Sequence, residues 1–532
     1  AYNGGISISS SGFSLWGSDI GALHGDASTQ LYLRWLQFGA FSPLMRTHGS
    51  GERDPWSFGK IGENTFKQLY NTRQSLLDTL YSANLKAGKT GIAMMQPLSF
   101  VFPEQSALSG VTDQYMFCNE LMVCPVLNEN TTDLRVTFPE GKWTDMWNGK
   151  TYEGGKAYTV AATSNTVPVY LRDGAVINAA VAGDFTMTGD MNSKTYDAVI
   201  AAPSTEKRTA EFLTDSKTYK FTNTPNGSDG FTVSNDSGHS AKLVIAAGVT
   251  ASAVKVNGKT LKKLDKLPAN DSATGYYVDY ENRRTLVFTG GWKTVSVTDS
   301  NMALKNLALG AAVKGNTEVL SGQIESIVDG DCTSQWMINS LKDSTAVIDL
   351  GKAENLKKIV VSWTSYTPES YKLEVSENGT SGWKNINNSA AIGGTESYAP
   401  GSGKIRYIRI SEIVQDEGSA APGIIELEAY GDELTDETVK PVTDDSSISN
   451  DNSYSYDDST DGTDAEPDDS TDSTEDQIIK RRRKKVVVFD DEGLPTAAIV
   501  LIVVGSVAVC AAAVTVLIFI LRKKKKQKTG KR

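Results

Sequence analysis

The stretch Gly5-Ile-Ser-Ile-Ser-Ser-Ser-Gly-Phe-Ser-Leu-Trp16-Gly-Ser-Asp19-Ile20-Gly21 decides how the first part of this chain folds. Gly4 to Ile8 alternate apolar and small polar residues, the pattern of a short strand, and Ser18-Asp19-Ile20-Gly21 supplies a polar stop with glycine beyond. A strand carrying a carboxylate at its C-terminal end is expected. Outward from it, a helix is expected over about 28–37, with Leu31, Arg34, Trp35 and Phe38 on one side. Phe41 to Met45 follow as a second strand ending in Arg46-Thr47-His48. Asn64 can cap a further helix in which Phe66, Leu69, Tyr70, Leu77, Leu80 and Tyr81 recur at helical spacing, and Gly88 can end it.

At 532 residues the chain exceeds a single core, and a prior of one domain per ~100–200 residues predicts about three or four. The hydrophobic fraction of 39 % and charged fraction of 22 % are those of a globular protein. The net charge of −11 is unevenly spread, since an acidic tract over about 432–476 supplies much of it and the C-terminal tail is strongly basic. Basic residues do not cluster on the globular part, which argues against nucleic acid as a partner. Cys118, Cys124, Cys332 and Cys510 form no CxxC or Cys/His metal spacing and read as structural. Such sparse cysteine use in an exported protein fits a bacterial cell-surface origin.

The sequence opens without an initiator methionine, a basic n-region or a hydrophobic h-region, as expected of a truncated N-terminus. Residues 496–521 are uncharged and apolar throughout, enough at 1.5 Å per residue to cross roughly 30 Å of hydrocarbon as one transmembrane helix. The basic tail 522–532 is expected in the cytoplasm and the globular domains outside, although a second basic cluster at Lys480 to Lys485 lies upstream of the helix. Residues 432–479 are dominated by Asp, Ser, Thr and Glu and cannot bury enough surface to fold, so a disordered acidic stalk is expected. Residues 480–495 form the juxtamembrane segment.

Taken in order, Gly5 to Gly21, then Arg34-Trp35, Phe38-Gly-Ala-Phe-Ser-Pro43, Met45-Arg46-Thr47-His48 and Pro55-Trp56, the first ninety or so residues resemble the last two barrel strands of glycoside hydrolase family 31. The resemblance continues through Phe138-Pro-Glu-Gly141-Lys-Trp143, Trp147, Gly149 and Tyr152 to Val167-Pro-Val-Tyr170-Leu-Arg172-Asp-Gly174. It implies the C-terminal part of a (β/α)8 barrel over 1–92, a proximal β-sandwich over 93–180 and a distal β domain over 181–300.

That family consists of retaining exo-acting α-glycosidases, α-glucosidases and α-xylosidases among them. Retention needs a carboxylate nucleophile and a second carboxylic acid about 5 Å away. The resemblance places both upstream of Ala1, so no catalytic residue is assigned and the fragment is expected to be inactive alone. What it implies here is substrate binding: Asp19 accepting from sugar hydroxyls, Arg46 donating to one, and His48 binding another, with Trp16 and Leu23 on the wall of the site. The family's Asp-Ile-Gly-Gly-Phe pattern reads Asp19-Ile20-Gly21-Ala22-Leu23 here, which removes an aromatic wall. Trp56 is expected to pack below the site.

From 301 to 431 the motifs change to Asn306-Leu-Ala-Leu, Asp329-Gly330-Asp331-Cys-Thr-Ser334-Gln-Trp336, Ile348-Asp-Leu-Gly351, Arg406-Tyr-Ile-Arg409 and Glu426-Leu-Glu-Ala-Tyr-Gly431. This segment resembles the coagulation-factor-5/8 type C, or discoidin, β-sandwich, which includes family 32 carbohydrate-binding modules. The resemblance implies a structural Ca²⁺ held by Asp329, Asp331, Ser334 and Glu426, whose oxygens suit a hard cation. No cofactor for catalysis is expected. Two functions follow: a membrane-anchored cell-surface glycosidase acting on α-linked oligo- or polysaccharide, or a non-catalytic glycan-binding adhesin.

Overall fold

The computed structural model describes residues 1–189, 195–315, 319–339, 344–387, 391–415 and 420–436. The transmembrane segment 496–521, the juxtamembrane and tail segments, Cys510 and all but the first five residues of the expected stalk lie outside the described residues. Among the described residues no helix is long and apolar enough to cross a membrane.

The opening stretch corrects the expectation at Gly4 to Ile8: Tyr2–Ser10 is a helix, α1. Its buried residues, Tyr2, Gly5 and Ser9, recur at three and four positions. Helical spacing therefore outcompetes the alternation of Ile6 and Ile8. The Trp16 ring decides this, because it lies where a Cβ on Gly5 would stand and donates its Nε1–H to Ser9 Oγ at 2.7 Å.

The next elements follow the expected order with shifted ends. Gly17–Ile20 is β1, Thr29–Ala40 is α2 and Leu44–Thr47 is β2. Ser28 caps α2, its side chain accepting from the Leu31 N–H. Strands β1 and β2 pair in parallel with Asp19 opposite Arg46. The single helix expected after Asn64 is two, α3 (Gly59–Ser75) and α4 (Leu77–Thr90), broken at Leu76. Asn64 sits inside α3 rather than capping it, and Gly91 in the left-handed region, not Gly88, stops α4.

Beyond the barrel segment the described residues are mainly β, with one short helix at Leu98–Val101 and 3₁₀ turns at Ser106–Gly110 and Ile324–Val328. A six-stranded sheet runs from Met95–Pro97 to Val169–Leu171 beside a two-stranded sheet, Asp133–Phe138 with Lys156–Ala161. The distal domain stacks a five-stranded sheet on a six-stranded one. Its first strand is Val176–Val181, buried throughout, so the domain begins before residue 181. A salt bridge joins proximal to distal domain: Arg208 Nη1 lies 2.5 Å from Glu120 Oε2, with both side chains largely buried.

The module from Met302 onward packs a six-stranded sheet against a five-stranded one around Trp336, Trp363 and Tyr371. Its last strand, Gly423–Asp436, takes up the first residues of the expected stalk. Charge pairing explains the extension: Glu433 receives Lys305 at 2.8 Å and Lys352 at 3.1 Å, and Asp432 pairs with Lys357.

Helix α2 ties these domains together. The buried Arg34 guanidinium donates to the carbonyl oxygens of Thr131, Ala162, Thr163 and Thr166 at 2.7–3.1 Å. Burial lowers its pKa to about 10. The loop it grips, 162–166, also meets the C-terminal module through Thr163 and Asn165.

Candidate functional site

Parallel strands carry their ligand groups at C-terminal ends, where the chain turns into loops. Asp19 and Arg46 occupy those ends on β1 and β2. Arg46 Nε donates to Asp19 Oδ1 at 2.8 Å, and Nη2 donates to the same oxygen. The Asp19 side chain is 17 % exposed and that of Arg46 62 %, so the pair presents a sheltered anion behind an accessible cation.

His48 follows β2 and is exposed, on the wall of an open polar cleft of about 560 Å³ formed by Asp26 and residues 47–54. Leu23 is 44 % exposed on the facing loop. Trp16 stands apart from these, stacked on Phe38 with its N–H committed to Ser9. Trp56 does not pack below the site; it is 66 % exposed, because its 3₁₀ turn, Pro55–Phe58, sends Phe58 inward against Tyr32 instead.

Two arginines absent from the sequence expectations hold this rim. Arg53 is buried and donates to the carbonyl oxygens of Ala22, Gly25 and Glu52 at 2.6–3.0 Å, fastening the loop after β1 to the loop after β2. Gly49 and Gly51 border it so closely that a Cβ on either would meet its side chain at 2.9 and 3.1 Å. The Gly49-Ser-Gly51-Glu-Arg53 spacing is the signal that sequence reading passed over. Arg73 of α3 donates to Ala40, Ser42 and Pro43 carbonyl oxygens at 2.7–2.8 Å and fixes the turn that feeds β2.

In the module, the loop at Asp329 brings Ser334 and Glu426 close, whereas the Asp331 carboxylate accepts from the Thr333 N–H and hydroxyl. Ser334 Oγ donates to Asp329 Oδ2 at 2.8 Å, and the Gly330 N–H donates to Glu426 Oε2 at 3.1 Å. Glu426 Oε1 is buried without a partner. Burial, with Glu428 next in weight, pushes its pKa up to about 9. The buried orphan Oε1 of Glu426 is an atom that a hard cation such as Ca²⁺ would satisfy. Among the described residues, no three His, Cys, Asp or Glu side chains form a ready metal-binding group. Cys118, Cys124 and Cys332 are free thiols.

Asp19 and Arg46 thus stand as a carboxylate and a guanidinium at parallel strand ends, backed by helices and followed in the chain by β-sheets. Residues 1–83 match the glycosyl hydrolases family 31 TIM-barrel domain and residues 91–177 the family 31 C-terminal domain; residues 312–427 match the F5/8 type C domain. These first two segments are family 31 glycosyl hydrolase sequence, and the third is an F5/8 type C domain. The chain is 30 % identical over 175 residues to α-glucosidase 2 of Bacillus thermoamyloliquefaciens, covering 32 % of this chain and 22 % of that one. It is 28 % identical over 318 residues to an isomaltosyltransferase of Sporosarcina globispora, covering 54 % of this chain and 28 % of that one. The chain thus spans about a quarter of the length of these relatives. It shares the fold of a cycloalternan-forming enzyme from Listeria monocytogenes over 80 % of this chain and 42 % of that one, at a TM-score of 0.51 and 20 % identity.

Proposed function

We propose that residues 1–177 furnish the sugar-binding rim of a retaining, exo-acting α-glycosidase of the cell surface, with α-glucosides or α-xylosides as substrates. The Asp19–Arg46 pair carries this reading. Asp19 accepts hydrogen bonds from sugar hydroxyls while Arg46 donates to a neighbouring one, and His48 binds a further hydroxyl; Leu23 contributes the wall and Trp16 supports the strand from behind. Groups fixed before the sugar arrives orient the ring and strengthen as it distorts. The nucleophile and general acid are assigned to none of these residues.

The F5/8 type C domain holds glycan, and Asp329, Asp331, Ser334 and Glu426 hold its Ca²⁺, which supplies structural cross-linking and no chemistry. Residues 496–521 anchor the protein in the membrane with the globular domains outside. Turnover of nitrophenyl α-glucoside and α-xyloside by the full-length protein tests the proposal. Asp19→Ala and Arg46→Ala should each lower kcat/KM by about 10²-fold. Unchanged turnover in both overturns the site, and glycan binding without turnover by the intact protein favours the adhesin.

A further inference from the structure

Strand Thr395–Tyr398 is an edge of the module's six-stranded sheet, and a sheet edge leaves backbone groups open to pairing. Asn165 of the proximal sandwich pairs with it as a strand would. Its Nδ2 donates to the Thr395 carbonyl oxygen at 2.9 Å, and its Oδ1 accepts from the Thr395 N–H at 2.8 Å. Thr163 Oγ1 lies 2.8 Å from Thr395 Oγ1, and Gln30 Nε2 donates to Ser365 Oγ at 3.3 Å. Lys358 of the module also reaches Glu281 of the distal domain at 3.6 Å. The module's buried apolar residues form a cluster of their own, so this docking is polar.

These contacts hold the barrel segment, the proximal and distal domains and the module around a cleft of about 700 Å³. That size lies within the roughly 300–1,000 Å³ of small-ligand sites. One wall is the outward face of the module's sheet, where Ser397 and Tyr430 stand; Trp147 and Asn148 of the proximal hairpin and Tyr280 of the distal domain form the other. Apart from Asp331 and Glu426, which are assigned to Ca²⁺, the cleft carries three carboxylates (Asp145, Glu281, Glu428) and three cationic groups (Lys150, Arg283, Lys358), so neither sign prevails as a strongly anionic ligand would require. Aromatic rings beside amide, hydroxyl and charged groups of both signs suit a neutral polyol, whose C–H faces lie on rings while its hydroxyls donate and accept. Walls fixed in advance also spare the ligand the cost of ordering them.

We propose that this cleft binds a neutral oligosaccharide at a site separate from the Asp19 rim, with which it shares no lining residue. The choice of an α-glucan as ligand rests on the glycosidase reading; the existence of the site does not. Isothermal titration of the intact chain with maltotriose and isomaltotriose, in calcium-containing buffer, tests it. Ser397→Trp fills the cleft from an exposed strand position, and Tyr280→Ala removes a ring from the opposite wall. Each should weaken the cleft Kd by about tenfold or more, while Asp19→Ala leaves that binding intact. Melting curves establish that each variant is folded, and Tyr280→Ala decides alone should Ser397→Trp not fold. Absence of binding by both trisaccharides, or binding unchanged in the folded cleft variants, overturns the inference. Cleft binding in a full-length protein that turns over no glycoside leaves it standing and removes the glycosidase reading.

Discussion

Asp19 and Arg46 are register partners on adjacent parallel strands, and both guanidinium contacts of Arg46 fall on a single oxygen of Asp19. Asp19 Oδ2 takes no part in that pairing, and under the proposed function it is the oxygen that would take a ligand hydroxyl. Asp19→Asn keeps the shape and weakens the charge-assisted bond. It should reduce sugar affinity at the rim by roughly tenfold while shifting stability by less than about 1 kcal/mol, since the pair is partly exposed. Titration calorimetry and urea denaturation separate the two effects.

Arg53 is bound by three backbone carbonyl groups that no other side chain serves in this loop. Arg53→Ala leaves three part-buried acceptors without this donor, at an expected cost of about 1–3 kcal/mol. Arg53→Lys should recover less than half of this, because an ammonium cannot span the fork of oxygens. Denaturant midpoints for the three proteins check the order.

Arg34→Ala should cost about 3–5 kcal/mol by the same logic, since four carbonyl oxygens of another domain lose their donor. Loop 162–166 also carries Thr163 and Asn165 to the module, so the variant should expose the junction to limited proteolysis.

Gly394 has φ +69°, and a Cβ there would overlap the Asn165 amide oxygen. Gly394→Ala should therefore loosen docking without unfolding the module, whose core is its own. Small-angle scattering should report an increased radius of gyration, with the near-ultraviolet spectrum of Trp336 and Trp363 retained.

Burial pushes the Asp145 pKa from 3.8 up to about 6, against the hydrogen bonds from the Trp147 and Asn148 N–H groups. A proton held more tightly in the folded state makes stability fall as pH rises between about 3.8 and about 6, and level off above. Asp145→Asn still accepts from Trp147 and cannot ionise. Its stability relative to the wild type should rise across that window and stay constant above it, as followed by denaturation at stepped pH.

The order of domains was legible in the chain itself, because rare residues such as Trp35, Arg46, His48 and Trp143 fall in fixed succession and the module's motifs repeat a known sandwich. The β-rich character from residue 95 onward was likewise an implication of the two family resemblances. Asp19, Arg46 and His48 were singled out for the same reason, and the structure brings Asp19 and Arg46 into contact. Tertiary structure decided what local pattern left open. Tyr2–Ser10 is helical because Trp16 needs the bare backbone of Gly5. Arg53 and Arg73 matter through carbonyl groups about 30 residues away, and Asn165 through Thr395, 230 residues away. Propensity and periodicity act within a few residues, whereas buried guanidinium and amide groups take whichever partners the fold brings to them.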